Sequence, residues 1–282
     1  MNEDKNKTSP DKPAPETPDK GFELLDTADK GQNLTVRDDQ YDYYWIADAA
    51  KRCRQKGFRF RLIDTGRFEK IELIWLIGSG LDLYTDDQTR TDFKELEELS
   101  TECTKAHSLC SYLSTEKWNQ SQDSEGSEFS GLLTFARSGA YIYVSSKNEN
   151  RDLSQIKELA EGCHESGTHL VYYHRGPVEP IFTEIGDQGA WIHLPAKSMD
   201  PEQRLLLIDT CQNSRQNGGG LILHLERAVE YDLVEDLMNA GAFVLFLYGH
   251  FDYKSPFKEL QKRARRKKYD SRSYYLQHDF FL

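Results

Sequence analysis

The chain has 282 residues, enough for one large domain or two small ones around a sizeable core. Its 47 Asp and Glu outnumber 36 Lys and Arg, and the formal net charge of −11 excludes general polyanion binding by the body, leaving that role only to a local basic patch. A charged start, Met1-Asn2-Glu3-Asp4-Lys5, and a longest apolar run of only Leu73 to Ile77 predict neither a secretory signal nor a transmembrane segment. Cysteines at 53, 103, 110, 163 and 211 form no C-x-x-C, which suits reduced, buried thiols and a cytoplasmic location better than a disulfide frame or a zinc finger.

Residues 1–40 are dominated by Lys, Asp, Glu, Thr and closely spaced prolines (Pro10, Pro13, Pro15, Pro18), the composition of a disordered tail. Within it Phe22-Glu23-Leu24-Leu25 is the stretch suited to docking a protein partner. An entry helix is expected around Tyr41 to Gln55. From there one unit recurs: an amphipathic stretch, a glycine, a short apolar strand and a polar turn. The expected strands are Phe58–Asp64, Leu81–Asp86, Leu109–Ser114, Ala140–Ser146, His169–His174, Ala190–Pro195, Leu221–Glu226 and Phe243–Gly249. Gly57, Gly80, Gly139, Gly167, Gly189, Gly220 and Gly241 precede them as helix stops, and only the strand at Leu109 lacks one. Helical spacing marks Glu69–Ile77, Phe93–Ala106, Leu153–Cys163, Glu202–Arg215 and Leu233–Ala240.

Strict strand and helix alternation implies parallel strands joined by right-handed crossovers. Eight such units over residues 41–260 match a (β/α)8 TIM-type barrel, preceded by the tail and followed by a basic, aromatic segment at 261–282. A doubly wound sheet would want G-x-G-x-x-G after the first strand, where Asp64-Thr65-Gly66-Arg67-Phe68 stands instead. Gly218-Gly219-Gly220 falls before a strand, at the amino end, and reads as a helix stop.

Strand parity divides the side chains between helices and lumen. The apolar sets, Leu81/Leu83, Ile142/Val144, Ile192/Leu194, Leu221/Leu223/Leu225 and Phe243/Leu245/Leu247, are assigned to the helices. The opposite parity is polar and aromatic: Asp82, Tyr84 and Asp86; Tyr141, Tyr143, Ser145 and Lys147; Tyr172 and His174; Trp191 and His193; His224 and Glu226; Tyr248, His250 and Asp252. The first strand is ambiguous, with Arg59 and Arg61 on one parity and Asp64 on the other.

Chemistry on this architecture gathers at the carboxyl ends of the strands. Glu226, His174, His250 and Asp252 form the expected catalytic set, as general acid and base or as ligands of a divalent metal such as Zn, Mn or Fe. The H-x-H that metal-dependent hydrolases on this fold carry on the first strand is replaced by Arg59-Phe60-Arg61, which leaves the cofactor undetermined. Lys147, Arg175, Lys197 and Arg227 are placed to hold a phosphate or carboxylate, while Tyr143, Tyr172 and Trp191 offer stacking faces for a sugar. His193 and His224, deeper in their strands, read as satisfied core histidines. The expected function is a hydrolase or lyase acting on a small anionic or carbohydrate-like substrate. The alternative is a degenerate barrel that binds protein partners through its tails. Nucleic acid, anionic lipid or an acidic partner would be met only through Lys262–Lys268, six cations in seven residues.

Overall fold

The computed structural model describes residues 18–115, 118, 128–146, 151–196, 200–225, 230–246 and 255–266. Strands and helices alternate along it. The order is α1 (Pro18–Asp29), β1 (Leu34–Arg37), α2 (Tyr43–Gln55), β2 (Phe60–Ile63), α3 (Lys70–Gly78), β3 (Leu81–Asp86), α4 (Phe93–Lys105) and β4 (Cys110–Ser114). It continues with α5 (Glu128–Arg137), β5 (Tyr141–Ser145), α6 (Leu153–Glu165), β6 (Leu170–Tyr173), α7 (Ile181–Asp187), β7 (Trp191–Pro195), α8 (Pro201–Gln216), β8 (Gly220–Leu225), α9 (Tyr231–Ala240), β9 (Phe243–Phe246) and α10 (Ser255–Arg266).

The nine strands form one sheet in sequential order, each parallel to its neighbours. An order that never reverses keeps every helix on one face and winds the sheet in one direction, which is the succession of a (β/α)8 barrel. The α/β class and all eight expected strands are present. One further strand, β1, precedes them, and among the described residues the sheet is open, its ladders running from β1 to β9. Two clusters of buried apolar side chains confirm the layering. Leu62, Leu83, Val144, Leu194 and Leu223 pack with helix residues such as Ile46, Leu99 and Ile156. Leu113, Tyr143, Val171, Tyr173, Trp191 and Ile222 form the second cluster, which holds strand residues alone. Tyr143, Val171, Tyr173 and Ile222 are fully buried with no helix in their cluster, so the sheet must curl over its own inner face to exclude water.

Part of the stretch expected to be a disordered tail is ordered. Residues 18–40 hold α1 and β1, and Leu24, Leu25 and Ala28 are buried against α2. The Pro and acid content that suggested disorder conceals an apolar stripe sufficient to dock a helix. Two parity assignments also change. In β9 Val244 joins the helix-side core, whereas Phe243 and Leu245 border the inner cluster. In β6 Leu170 and Tyr172 face the helices, and Val171 and Tyr173 face inward.

Helix starts follow from side chains: Asp92, Asp152 and Asp200 accept hydrogen bonds from the amides of Lys94, Ser154 and Gln203. A positive-φ glycine occupies the turn before every strand except β4, where His107 takes φ 56°. In the turn before β8 that residue is Gly218, not Gly220; the next two glycines serve close packing. A Cβ on Gly219 would lie 2.3 Å from the Gly189 carbonyl oxygen, and one on Gly220 2.8 Å from the Trp191 ring. All five cysteines are free and buried, Cys110 in β4 and the others on helices. Among the described residues no helix is long and apolar enough to cross a membrane.

Candidate functional site at the carboxyl ends of the strands

The inner face carries a continuous row in register across five strands: Ser145, Tyr173, His193, Ile222 and Phe243. His224 lies two positions further along β8, opposite Pro195. That offset brings His193 Nδ1 within 2.9 Å of His224 Nε2, one ring nitrogen donating and the other accepting. Tyr173 stacks on the His193 ring at 4.3 Å. Both imidazoles are buried. Burial pushes the His193 pKa well below the usual imidazole range, and the neighbouring His224 pushes it the same way. At neutral pH His193 is therefore uncharged, and a single proton lies between the two facing nitrogens. The sequence reading of both as hydrogen-bonded interior histidines agrees with this placement; that they bond each other could not be read from it.

Tyr143, expected to bind substrate, is fully buried on the same inner face, in register with Leu113 and Val171. Tyr172 and His174 lie elsewhere. Tyr172 faces the helices, its hydroxyl 2.9 Å from His174 Nδ1, and His174 Nε2 stands 2.9 Å from the Pro177 carbonyl. A carbonyl only accepts, so Nε2 carries the proton and, in the neutral ring, Nδ1 accepts from Tyr172. The edge of the His174 ring meets Phe182 of α7 at 4.7 Å. Burial raises the Tyr172 pKa, with Ser146 acting weakly against it. Arg175 is half-buried, and its backbone amide donates to Ser146 Oγ. Lys147, Lys197, Glu226, Arg227, His250 and Asp252 lie outside the described residues.

Three acidic residues at the ends of β1 to β3 are engaged with the strand or loop that follows. Asp38 accepts from both the amide and the hydroxyl of Thr65. Asp87 does the same with Thr115. Asp64, fully buried, accepts from Thr85 Oγ1, the Gly66 amide and the Arg90 guanidinium, which also reaches Glu95 and the Phe68 carbonyl. These clasps escaped the sequence reading. Their signal is an Asp at one strand end and a Thr at the next, 27 residues on for Asp38, 21 for Asp64 and 28 for Asp87. Beside them, a cavity of about 70 Å³ borders Asp87, Tyr112, Ser114, Trp118 and Glu128, room for a few waters and not for a sugar. Trp118 donates to Ser114 Oγ, and the Arg151 guanidinium lies 4.8 Å from its ring centre.

Among the described residues no group of three or more His, Cys, Asp or Glu side chains could hold a metal ion. The buried thiols are poor nucleophiles; burial lifts the Cys163 pKa to about 12.

No family model and no curated protein matches the chain. Among solved structures it is similar to deoxyribose phosphate aldolase from Aeropyrum pernix, at 11% identity over 81% of this chain and 92% of that one, TM-score 0.31. A putative deoxyribose-phosphate aldolase from Toxoplasma gondii ME49 gives 10% identity over 78% and 96%, TM-score 0.31. A putative mandelate racemase/muconate lactonizing enzyme from Labrenzia alexandrii DFL-11 gives 10% over 83% and 70%, TM-score 0.32.

Proposed function

We propose that the chain is an enzyme performing acid–base chemistry on a small anionic or carbohydrate-like substrate at the carboxyl ends of β5 to β8. The observation that carries this reading is the His193–His224 pair, two hydrogen-bonded imidazoles on the inner face of adjacent strands just below their carboxyl ends. A barrel interior with only structural duties is filled by branched aliphatic residues, and a buried imidazole pair there adds no packing that leucine would not. In this reading the pair stores and returns a proton. Glu226, His250 and Asp252 supply the acid or base, Lys147, Arg175, Lys197 and Arg227 hold the anion, and Tyr172 with His174 braces β6 against α7.

A second reading, a non-catalytic barrel used for binding, is favoured by the clasps that occupy Asp38, Asp64 and Asp87 and by Ile71 and Trp75, both at least half exposed on α3. The two are separated by incubating the protein with a panel of sugar phosphates and hydroxy acids and following conversion by NMR, wild type beside His224→Asn. Conversion by wild type that is lost in a folded H224N variant is the expected result. Conversion that survives the substitution moves the site away from the pair, and a panel left wholly unconverted favours the binding reading.

A further inference from the structure

The end of the sheet opposite to the proposed catalytic site carries a second feature. A cleft of about 430 Å³ opens at the amino ends of β4, β5 and β6, between the turns that leave α4, α5 and α6. That volume lies within the range of small-molecule sites. Its walls are polar. Ser166 Oγ has one proton to give to the Cys163 carbonyl at 2.9 Å, the Ala136 carbonyl at 3.0 Å or Thr168 Oγ1 at 3.0 Å, and Thr168 Oγ1 donates to the Ala140 carbonyl at 2.8 Å. Ser138 Oγ likewise donates to the Phe135 carbonyl at 2.7 Å. With their protons spent on backbone carbonyls or on each other, these three hydroxyls offer their remaining oxygen lone pairs as acceptors.

The donors come from the opposite side. His107 is exposed, and neither its ring nor the Ser108 hydroxyl has a hydrogen-bond partner among the described residues. His107 also occupies, at φ 56°, the position where every comparable turn uses a positive-φ glycine, so this turn alone carries a side chain there. Arg137, on the same rim, is paired through Nε with Glu165 at 3.0 Å. This pairing is the ground for choosing a neutral ligand over an anion. A guanidinium already neutralised by a carboxylate gives little net charge to hold a phosphate, while its remaining N–H groups and the adjoining acceptors suit adjacent hydroxyls that must both donate and accept. The Tyr141 ring supplies an apolar face beside them.

We propose that this amino-end cleft binds a neutral polyhydroxylated ligand of monosaccharide size, at a site separate from the proposed catalytic one. Its test is an NMR titration of the full chain with methyl α-D-glucopyranoside and, separately, with inorganic phosphate. The glycoside is expected to shift the His107 imidazole and the amides of residues 138–141 and 166–168 together, with a Kd on the order of millimolar, and phosphate to leave them in place. His107→Gly, which suits the local φ, is expected to weaken binding about tenfold without loss of fold, and Arg137→Gln to do the same through a different group. The proposal is overturned by an absence of shifts with the glycoside, by phosphate binding the tighter of the two, or by both variants binding as wild type does.

Discussion

The carboxyl ends of β1 to β4 and those of β5 to β8 use their polar residues in opposite ways. On the first side three acids are clasped to a neighbour: Asp38 with Thr65, Asp64 with Thr85 and Arg90, Asp87 with Thr115. On the second side the inner face holds Tyr173 stacked on His193, and His193 hydrogen-bonded to His224. The contrast teaches that polarity at a strand end is not itself a sign of chemistry. Carboxylates with short donors lock strands together, whereas adjacent imidazoles leave a proton with two places to be.

The largest expected effect lies on the locked side. Asp64→Ala leaves the nearly buried Arg90 without its main counter-charge and should destabilise the protein by about 3–5 kcal/mol in urea unfolding. Asp64→Asn keeps an acceptor for Thr85 and should cost less. Equal, small losses in both variants would show that Arg90 relaxes into water and that the clasp locks nothing.

The repeat itself was legible in the sequence because short strands with apolar parity and helix-stopping glycines recur throughout; hence all eight expected strands are found. β1 was missed because Leu34 to Arg37 offers only two apolar positions inside an acidic, Pro-rich stretch. Tyr172 and His174 were turned inward because β6 reads Leu170-Val171-Tyr172-Tyr173, apolar or aromatic at every position, so parity alone cannot orient it. The His193–His224 bond was beyond reach for another reason. It depends on a two-residue stagger between adjacent strands, which no single-strand pattern records.

On the proton-holding side the expected effects are smaller and depend on pH. The folded state lowers the His193 pKa, so the unfolded chain binds its proton more readily. The associated stability is complete above the unfolded value of 6.5 and is lost progressively as the pH falls below it. His193→Phe should therefore flatten the fall in stability between pH 7 and pH 5. An unchanged slope would remove His193 as its source.

Asp82, buried at the amino end of β3, works in the other direction. Arg59 and the Leu109 amide both donate to Oδ1, Oδ2 has no hydrogen-bond partner among the described residues, and burial raises the carboxyl pKa. Its contribution is complete below the unfolded value of 3.8 and is lost as the pH rises through the folded one, so Asp82→Asn should leave the His193-linked slope intact while removing a loss of stability that begins at more acidic pH.

The smallest effect sharpens the contrast most. Thr115→Val removes one hydroxyl from the Asp87 clasp and leaves the backbone amide donating to Oδ2, so a loss of about 1 kcal/mol is expected in urea unfolding. The two imidazoles, on β7 and β8, share no hydrogen bond with that clasp in the structure. Their resonances, followed by NMR across the same pH range, should titrate as in wild type. If the substitution shifts them, the two sides of the sheet are coupled through the inner cluster that joins Leu113 to Tyr173, and the division between locked and proton-holding ends fails.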